Sequence, residues 1–281
     1  VTVDAHGRNY RQLLQKFLMG AVNFSQGTND YFQANFSEQV ALREGPTKNY
    51  TEAEHNYDEA FGYYGAARDI LDYTDLEARA KSGIDAMVHA IEAFTSKSKN
   101  NNPISKALAE KSLMLLSDSI IKAVENGKND AVARNQMLLG SLMAGMSFAN
   151  SPVAAVHALA YPLGGIYKIT HGLSNALILP YVIRFNMKDD ETRDSYLHLS
   201  DIIFPQLKHI KYLEDKTLAF VNEFINLSKR FNLPTRIRDL GIPKKACKTM
   251  SIEAMKQERL LINNPIRIKQ EDALKIYEQA W

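Results

Sequence analysis

The sequence predicts an all-α protein. Three observations carry that expectation. Apolar residues recur at helical spacing in nearly every periodic segment, no alternating strand pattern of useful length occurs, and cap and breaker residues punctuate the segments where helices should start and stop. The first helical stripe is Leu13, Leu14, Phe17, Leu18 and Val22, broken by the polar stretch FSEQVALREGPTKNY. Helix resumes near TEAEHNYDEAFGYY and again, strongly, in ARAKSGIDAMVHAIEAFTSK. Asn102 and Pro103 open PISKALAEKSLMLLSDSIIKAVENG, with proline at the first helical position and glycine near the end. AVARNQMLLGSLMAGMSFAN follows, its Met, Gly and Ala content suiting close packing against neighbours.

SPVAAVHALAYPLGG reads as a serine cap, a short helix and a Pro/Gly stop. HGLSNALILPYVIRFN is apolar enough to be central. Polar helices then run through DETRDSYLHLSDII and LEDKTLAFVNEFINLSKRFN. NLPTRIRDLGIP is an irregular connection, and SIEAMKQERLL and QEDALKIYEQAW close the chain. A composition shift near residue 75, from tyrosine-dense to small apolar, places a boundary between a smaller helical segment, 1–77, and a larger helical domain, 78–281.

Composition narrows the function. The chain has 281 residues, 45% hydrophobic and 23% charged, enough for a sizeable core. A net charge of +2, with basic and acidic residues interleaved, gives no nucleic-acid footprint. Cys247 is the single cysteine, which excludes an intrachain disulfide and a cysteine-rich metal site and fits a reducing compartment. No apolar run approaches the ~20 residues of a membrane span. The chain starts at Val1, which leaves room for a leader or a whole domain upstream.

The chemistry-bearing residues are histidines. Asp85 and His89 sit four apart in SGIDAMVHAIEAF. On a helix that spacing means an offset of about 40° and ~6 Å, so the pair can share one ion or simply hydrogen-bond. His157 lies inside the apolar PVAAVHALAYP, and His171 opens the next helix after the turn GGIYKIT. A turn between two helices can return both imidazoles to one point. A divalent ion favours such a set of neutral nitrogens with a carboxylate. Equally, His157 can be a satisfied core histidine and His171 a helix-start residue. His6, His55, His198 and His209 stand in polar surroundings and receive no role.

Three separated stretches then carry a resemblance. GIDAMVHAIEAF, AGMSFANSPVAAVHALAYPLGGIYKITHGLSNALILPYVIRFN and EAMKQERLLINNPIRIKQEDALKIYEQAW occur in the order in which similar motifs occur in iron-containing (group III) alcohol dehydrogenases. The resemblance covers about Ala78 to Trp281 and implies that family's all-helical metal domain, of the dehydroquinate synthase-like C-terminal type. It implies Asp85, His89, His157 and His171 as metal ligands, Fe²⁺ with Zn²⁺ or another divalent ion as alternatives, and hydride transfer between an alcohol and an aldehyde or ketone with NAD(P). Many members carry a further histidine four residues after the third ligand. Here that position is Tyr161, whose phenol can hydrogen-bond substrate or relay a proton but is a weaker base near neutral pH.

The family's nucleotide-binding domain has no counterpart in residues 1–77, which contain no G-x-G pattern, and the only G-G pair is Gly164–Gly165. Without such a loop no helix start presents itself to a pyrophosphate. Instead GRNYRQLLQKFLMGAVNFSQ and NYTEAEHNYDEAFGYYGAARD, about residues 5–70, resemble helical imelysin-like bacterial lipoproteins, with Glu54, His55, Asp58, Glu59, Phe61, Gly62, Tyr63 and Tyr64 the telling positions. His55 and Glu59 are again four apart and offer a second candidate metal pair. The expectations are thus a metal-dependent oxidoreductase impaired by the missing nucleotide domain, acting on a small alcohol or carbonyl in the cytoplasm and able to form a homo-oligomer. The alternative is a metal-binding module or surface protein without dehydrogenase activity, for which the N-terminal resemblance suggests the bacterial envelope.

Overall fold

A computed structural model describes residues 76–281, which fall within one compact unit, Ile70–Trp281. The N-terminal helices, the His55–Glu59 pair and the imelysin-like stretch lie outside the described residues. Among the described residues the fold is all-α, with no strand. Ten α-helices follow in order: α1 Leu76–Thr95, α2 Pro103–Asn126, α3 Ala131–Asn150, α4 Ala155–Tyr167, α5 His171–Asn186, α6 Asp190–Ile203, α7 Leu213–Arg230, α8 Ala246–Met255, α9 Glu258–Leu261 and α10 Gln270–Ala280. Short 3₁₀ turns at Pro205–His209 and Ile237–Leu240 join α6 to α7 and α7 to α8.

Helix α1 is central. Ala80, Ile84, Met87, Val88, Ala90, Ile91 and Ala93 are buried, because α2, α3 and α5 pack around it. Helix α5 is its buried partner, with an unbroken buried run from Leu173 to Ile183 and contacts to α1, α4, α7 and α10. A helix apolar all round must be enclosed by others, and that is the place HGLSNALILPYVIRFN takes. Pro180 lies inside it without ending it.

Asn102 starts α2 as expected. Its Oδ1 accepts from the backbone N–H of Ile104 and Ser105 at 2.9 and 3.1 Å, and its own N–H donates to Ser105 Oγ at 3.0 Å. Such reciprocal capping satisfies donors that the first turn leaves open. Asn102→Ala is expected to cost about 1 kcal/mol. That should lower the thermal midpoint, followed by circular dichroism of the full chain, by a few degrees.

Two local expectations are corrected. α4 has no serine cap: Ser151 closes α3, and α4 starts after Ala154 without a side-chain cap. Nor do Pro162 and the Gly164–Gly165 pair stop α4, which continues to Tyr167 and ends with Lys168 in the left-handed region at φ 59°. Proline removes one backbone donor and crowds the preceding turn. Here Pro162 is buried with Leu159 and Leu163, and that packing outweighs the local cost. Helix α3 packs closely on one face only. Ala133, Gly140, Ala144 and Ser147 are buried, while Leu138, Leu139, Leu142 and Met146 are exposed among the described residues.

The segment leading into α4 is tied from both sides. Ser96 Oγ donates to Pro152 O at 3.0 Å, and Asn263 Nδ2 donates to Val153 O at 3.1 Å. Lys97 N donates to Asn263 O at 2.8 Å. Further along α4, Tyr277 Oη donates to Leu159 O at 2.5 Å. The end of α5 is held by paired carboxamides: Asn186 Nδ2 donates to Asn264 Oδ1 at 3.1 Å, and Asn264 Nδ2 returns a bond to Asn186 Oδ1 at 2.7 Å. Buried amides cost little only when paired in this way. These ties hold α4 and α5 against α1, and the candidate site lies where the three meet.

Candidate metal centre

Each helix contributes what its sequence placed on one face. α1 presents Asp85 and His89 one turn apart, α4 presents His157, and α5 presents His171 at its first residue. The nitrogens of His89, His157 and His171 include one from each ring lying within 4.8 Å of one another. His89 Nε2 and His157 Nε2 are 3.1 Å apart. Asp85 Oδ1 lies 3.6 Å from His171 Nε2, and Asp85 Oδ2 lies 3.8 Å from His89 Nδ1. All four sequence-predicted ligand positions therefore converge, with the three histidines as the tightest set. Phe148 of α3 stacks on the His89 ring at 4.6 Å between centroids.

Tyr161 lies one turn after His157 on α4 and is 44% exposed. It stands at the wet end of the helix face whose inner end is His157, which is 4% exposed.

Two residues of the site escaped the sequence reading. The carboxamide of Asn175, fully buried, sits amid the cluster. Its Nδ2 lies 2.5 Å from Asp85 Oδ1 and 3.2 Å from both His157 Nε2 and His171 Nε2. Its Oδ1 is buried without a hydrogen-bond partner. Glu92 is 3% exposed and bonds His157 Nδ1 through Oε2 at 2.6 Å, while its Oε1 accepts from the Val156 N–H at 2.6 Å. The signals were present: Glu92 follows His89 by three residues and Asp85 by seven, and Asn175 follows His171 by four, so each shares a helical face with a candidate ligand.

The donor set fits a divalent cation. One amide nitrogen with two hydrogens faces three candidate ligand atoms, Asp85 Oδ1, His157 Nε2 and His171 Nε2, and turning the amide would aim its oxygen at the Asp85 carboxylate instead. In the orientation present, the amide oxygen is buried without a partner. Burial, above all, holds the His89 imidazole down to about 4, against the opposing pull of Asp85 and with help from His157 and His171. A neutral ring is the form that can ligate. Imidazoles with a carboxylate suit Fe²⁺ or Zn²⁺, and ligand type alone does not separate them.

Fold and site together define a helical domain with a three-histidine cluster able to hold a metal. The model of the "Fe-containing alcohol dehydrogenase family, C-terminal" matches residues 79–281. Long-chain-alcohol dehydrogenase 1 of Geobacillus thermodenitrificans is 38% identical over 204 residues, covering 72% of this chain and 50% of that protein. 1,3-Propanediol dehydrogenase of Citrobacter freundii is 31% identical over 202 residues, covering 72% of this chain and 50% of that protein. The crystal structure of a 1,3-propanediol oxidoreductase superposes with a TM-score of 0.68 at 30% identity, covering 74% of this chain and 53% of that one. The chain belongs to the iron-containing alcohol dehydrogenase family, and residues 79–281 are its C-terminal domain. It spans about half the length of the curated relatives it matches.

Proposed function

We propose that residues 78–281 are the metal-bearing half of an alcohol dehydrogenase, in which Asp85, His89, His157 and His171 hold one divalent ion, Fe²⁺ foremost. The observation that supports this most is the convergence of three imidazole nitrogens within 4.8 Å, beside the Asp85 carboxylate. When bound, the ion supplies Lewis acidity toward an alcohol or carbonyl oxygen. The chain's own residues do the remaining work. Asp85 offsets positive charge, Asn175 fills the floor of the site, and Phe148 covers one face of His89. Tyr161, exposed one turn beyond His157, donates or accepts a hydrogen bond at the substrate oxygen. The substrate class is a small alcohol and its aldehyde or ketone, and the hydride partner is NAD(P).

The pyrophosphate of that dinucleotide needs a glycine-rich strand-to-helix turn, and there is no strand among the described residues. Hydride transfer requires the two carbons held ~3–3.5 Å apart. Residues 1–77 carry no G-x-G pattern either, and the 281 residues by themselves are expected to show little or no reduction of NAD(P) with short alcohols and added Fe²⁺, followed by absorbance. Robust turnover that His157→Ala abolishes would place a nucleotide site within this chain.

Metal analysis of the purified chain tests the core of the proposal. One divalent ion per chain is expected, falling to well under half occupancy in His171→Ala. Equal metal in both proteins would sink the ligand set.

A further inference from the structure

We propose that Glu92 is the positioning residue that makes His157 a metal ligand, by fixing its ring as the Nδ1–H tautomer while the same carboxylate caps helix α4. The inference rests on the metal reading above. It starts from two hydrogen bonds made by one carboxylate in a dry place. Oε1 accepts from the Val156 N–H at 2.6 Å, and Oε2 faces His157 Nδ1 at 2.6 Å. Glu92 and His157 are 3% and 4% exposed, so water does not substitute for either bond.

The chemistry of the pair dictates the tautomer. An ionised carboxylate only accepts, so the His157 nitrogen facing it must carry hydrogen. In the neutral ring the other nitrogen, Nε2, then keeps its lone pair. Nε2 is the atom that lies 3.1 Å from His89 Nε2 and 3.2 Å from Asn175 Nδ2, at the centre of the cluster. A histidine that donates its second N–H to a carboxylate is oriented and made more basic at the ligating nitrogen.

The second bond explains how the geometry survives without a local cap. α4 has no side-chain cap of its own, and its first turn carries His157 as the third helical residue. The Val156 N–H is one of the donors that a helix start leaves open. A carboxylate there also meets the positive end of the helix dipole. Because Glu92 stands on α1, three residues beyond His89, one side chain registers α4 against the helix that carries Asp85 and His89. Loss of register would separate the ligand atoms.

Glu92→Gln is the diagnostic change, because it is isosteric yet cannot serve both partners. If the amide oxygen stays on Val156, the NH₂ faces His157 Nδ1 and drives the hydrogen to Nε2, the ligating atom. If the amide turns over, its NH₂ confronts the Val156 N–H. The expected result is a 10–100-fold weaker affinity for Co²⁺ or Zn²⁺, measured on the full chain by competition with a chromophoric chelator. Asp130→Ala, which removes the bond that Asp130 Oδ1 accepts from the Ala133 N–H at the start of α3, 18 residues before Phe148, is the stability control. It should lower the thermal midpoint without moving metal affinity. Unchanged affinity in Glu92→Gln overturns the proposal, and so does an equal loss of affinity in Asp130→Ala at a matched fall in midpoint. The tautomer can be read without any change at Glu92. In the metal-free, ¹⁵N-histidine-labelled chain, the long-range ¹H–¹⁵N pattern lost in His157→Gln should be that of an Nδ1–H ring, and an Nε2–H ring overturns the proposal. An unaltered chain that binds no metal defeats the ligand assignment instead, and the tautomer measurement still decides the role of Glu92.

Discussion

His157→Ala is expected to abolish metal binding and also to destabilise the metal-free chain by about 3 kcal/mol, as for breaking a buried pair. The two losses have different origins. Metal is lost because the central nitrogen of the cluster disappears. Stability is lost because the Glu92 carboxyl group stays buried but loses the Nδ1 partner at 2.6 Å. The cavity left by the ring adds to the cost. His171→Ala provides the contrast. Its side chain is 53% exposed, so its removal should take the metal with a stability change of no more than about 0.5 kcal/mol. Chemical denaturation of the two metal-free variants, beside metal analysis of the same samples, measures both effects. Equal destabilisation by the two substitutions would mean that Glu92 and His157 do not form the buried pair.

Gly172→Ala should be comparably damaging, through a single methyl group. A Cβ at Gly172 would stand 2.4 Å from the Lys81 carbonyl oxygen and 2.8 Å from its carbonyl carbon. Neither atom belongs to a flexible side chain, so the start of α5 must move away from α1. Overpacking of this kind costs on the order of 1–3 kcal/mol. His171 is the neighbouring residue and moves with the backbone, so metal affinity should fall along with the thermal midpoint. Gly145 offers the control, because a Cβ there meets nothing within 4 Å. Gly145→Ala should leave affinity unchanged and stability equal or slightly higher, since alanine favours the helix by up to ~1 kcal/mol. A Gly172→Ala protein with unchanged midpoint and metal content would show that α1 and α5 do not approach this closely.

The single thiol adds nothing to the chemistry of the site. Cys247 is buried in α8, and burial pushes its thiol up, away from the reactive thiolate.

What the sequence determined by itself is what local energetics determine. The start of α2 was legible because Asn102 and Pro103 satisfy or spare the donors of a first turn, which neighbours in the chain can do alone. Asp85 and His89 shared a face because four residues make about one helical turn. His157 and His171 were legible as candidates because an imidazole in an apolar helix, and another at a helix start, stand out from their surroundings. The tertiary structure decided the rest. Pro162 and the glycines after it read as a stop, yet α4 runs through them, because burial around Leu159 and Leu163 outweighs a local preference. The apolar face of α3 read as packed, yet Leu142 is 58% exposed, because periodicity places residues on a face without saying which neighbour covers it. Glu92 received no role from the sequence. It became the partner of His157 only where α4 crosses, 65 residues along the chain. Asn175 likewise met Asp85 from 90 residues away. Helical periodicity fixes the direction of a side chain from its own helix, whereas the meeting of α1, α4 and α5 is set by packing and hydrogen bonds summed over the whole domain.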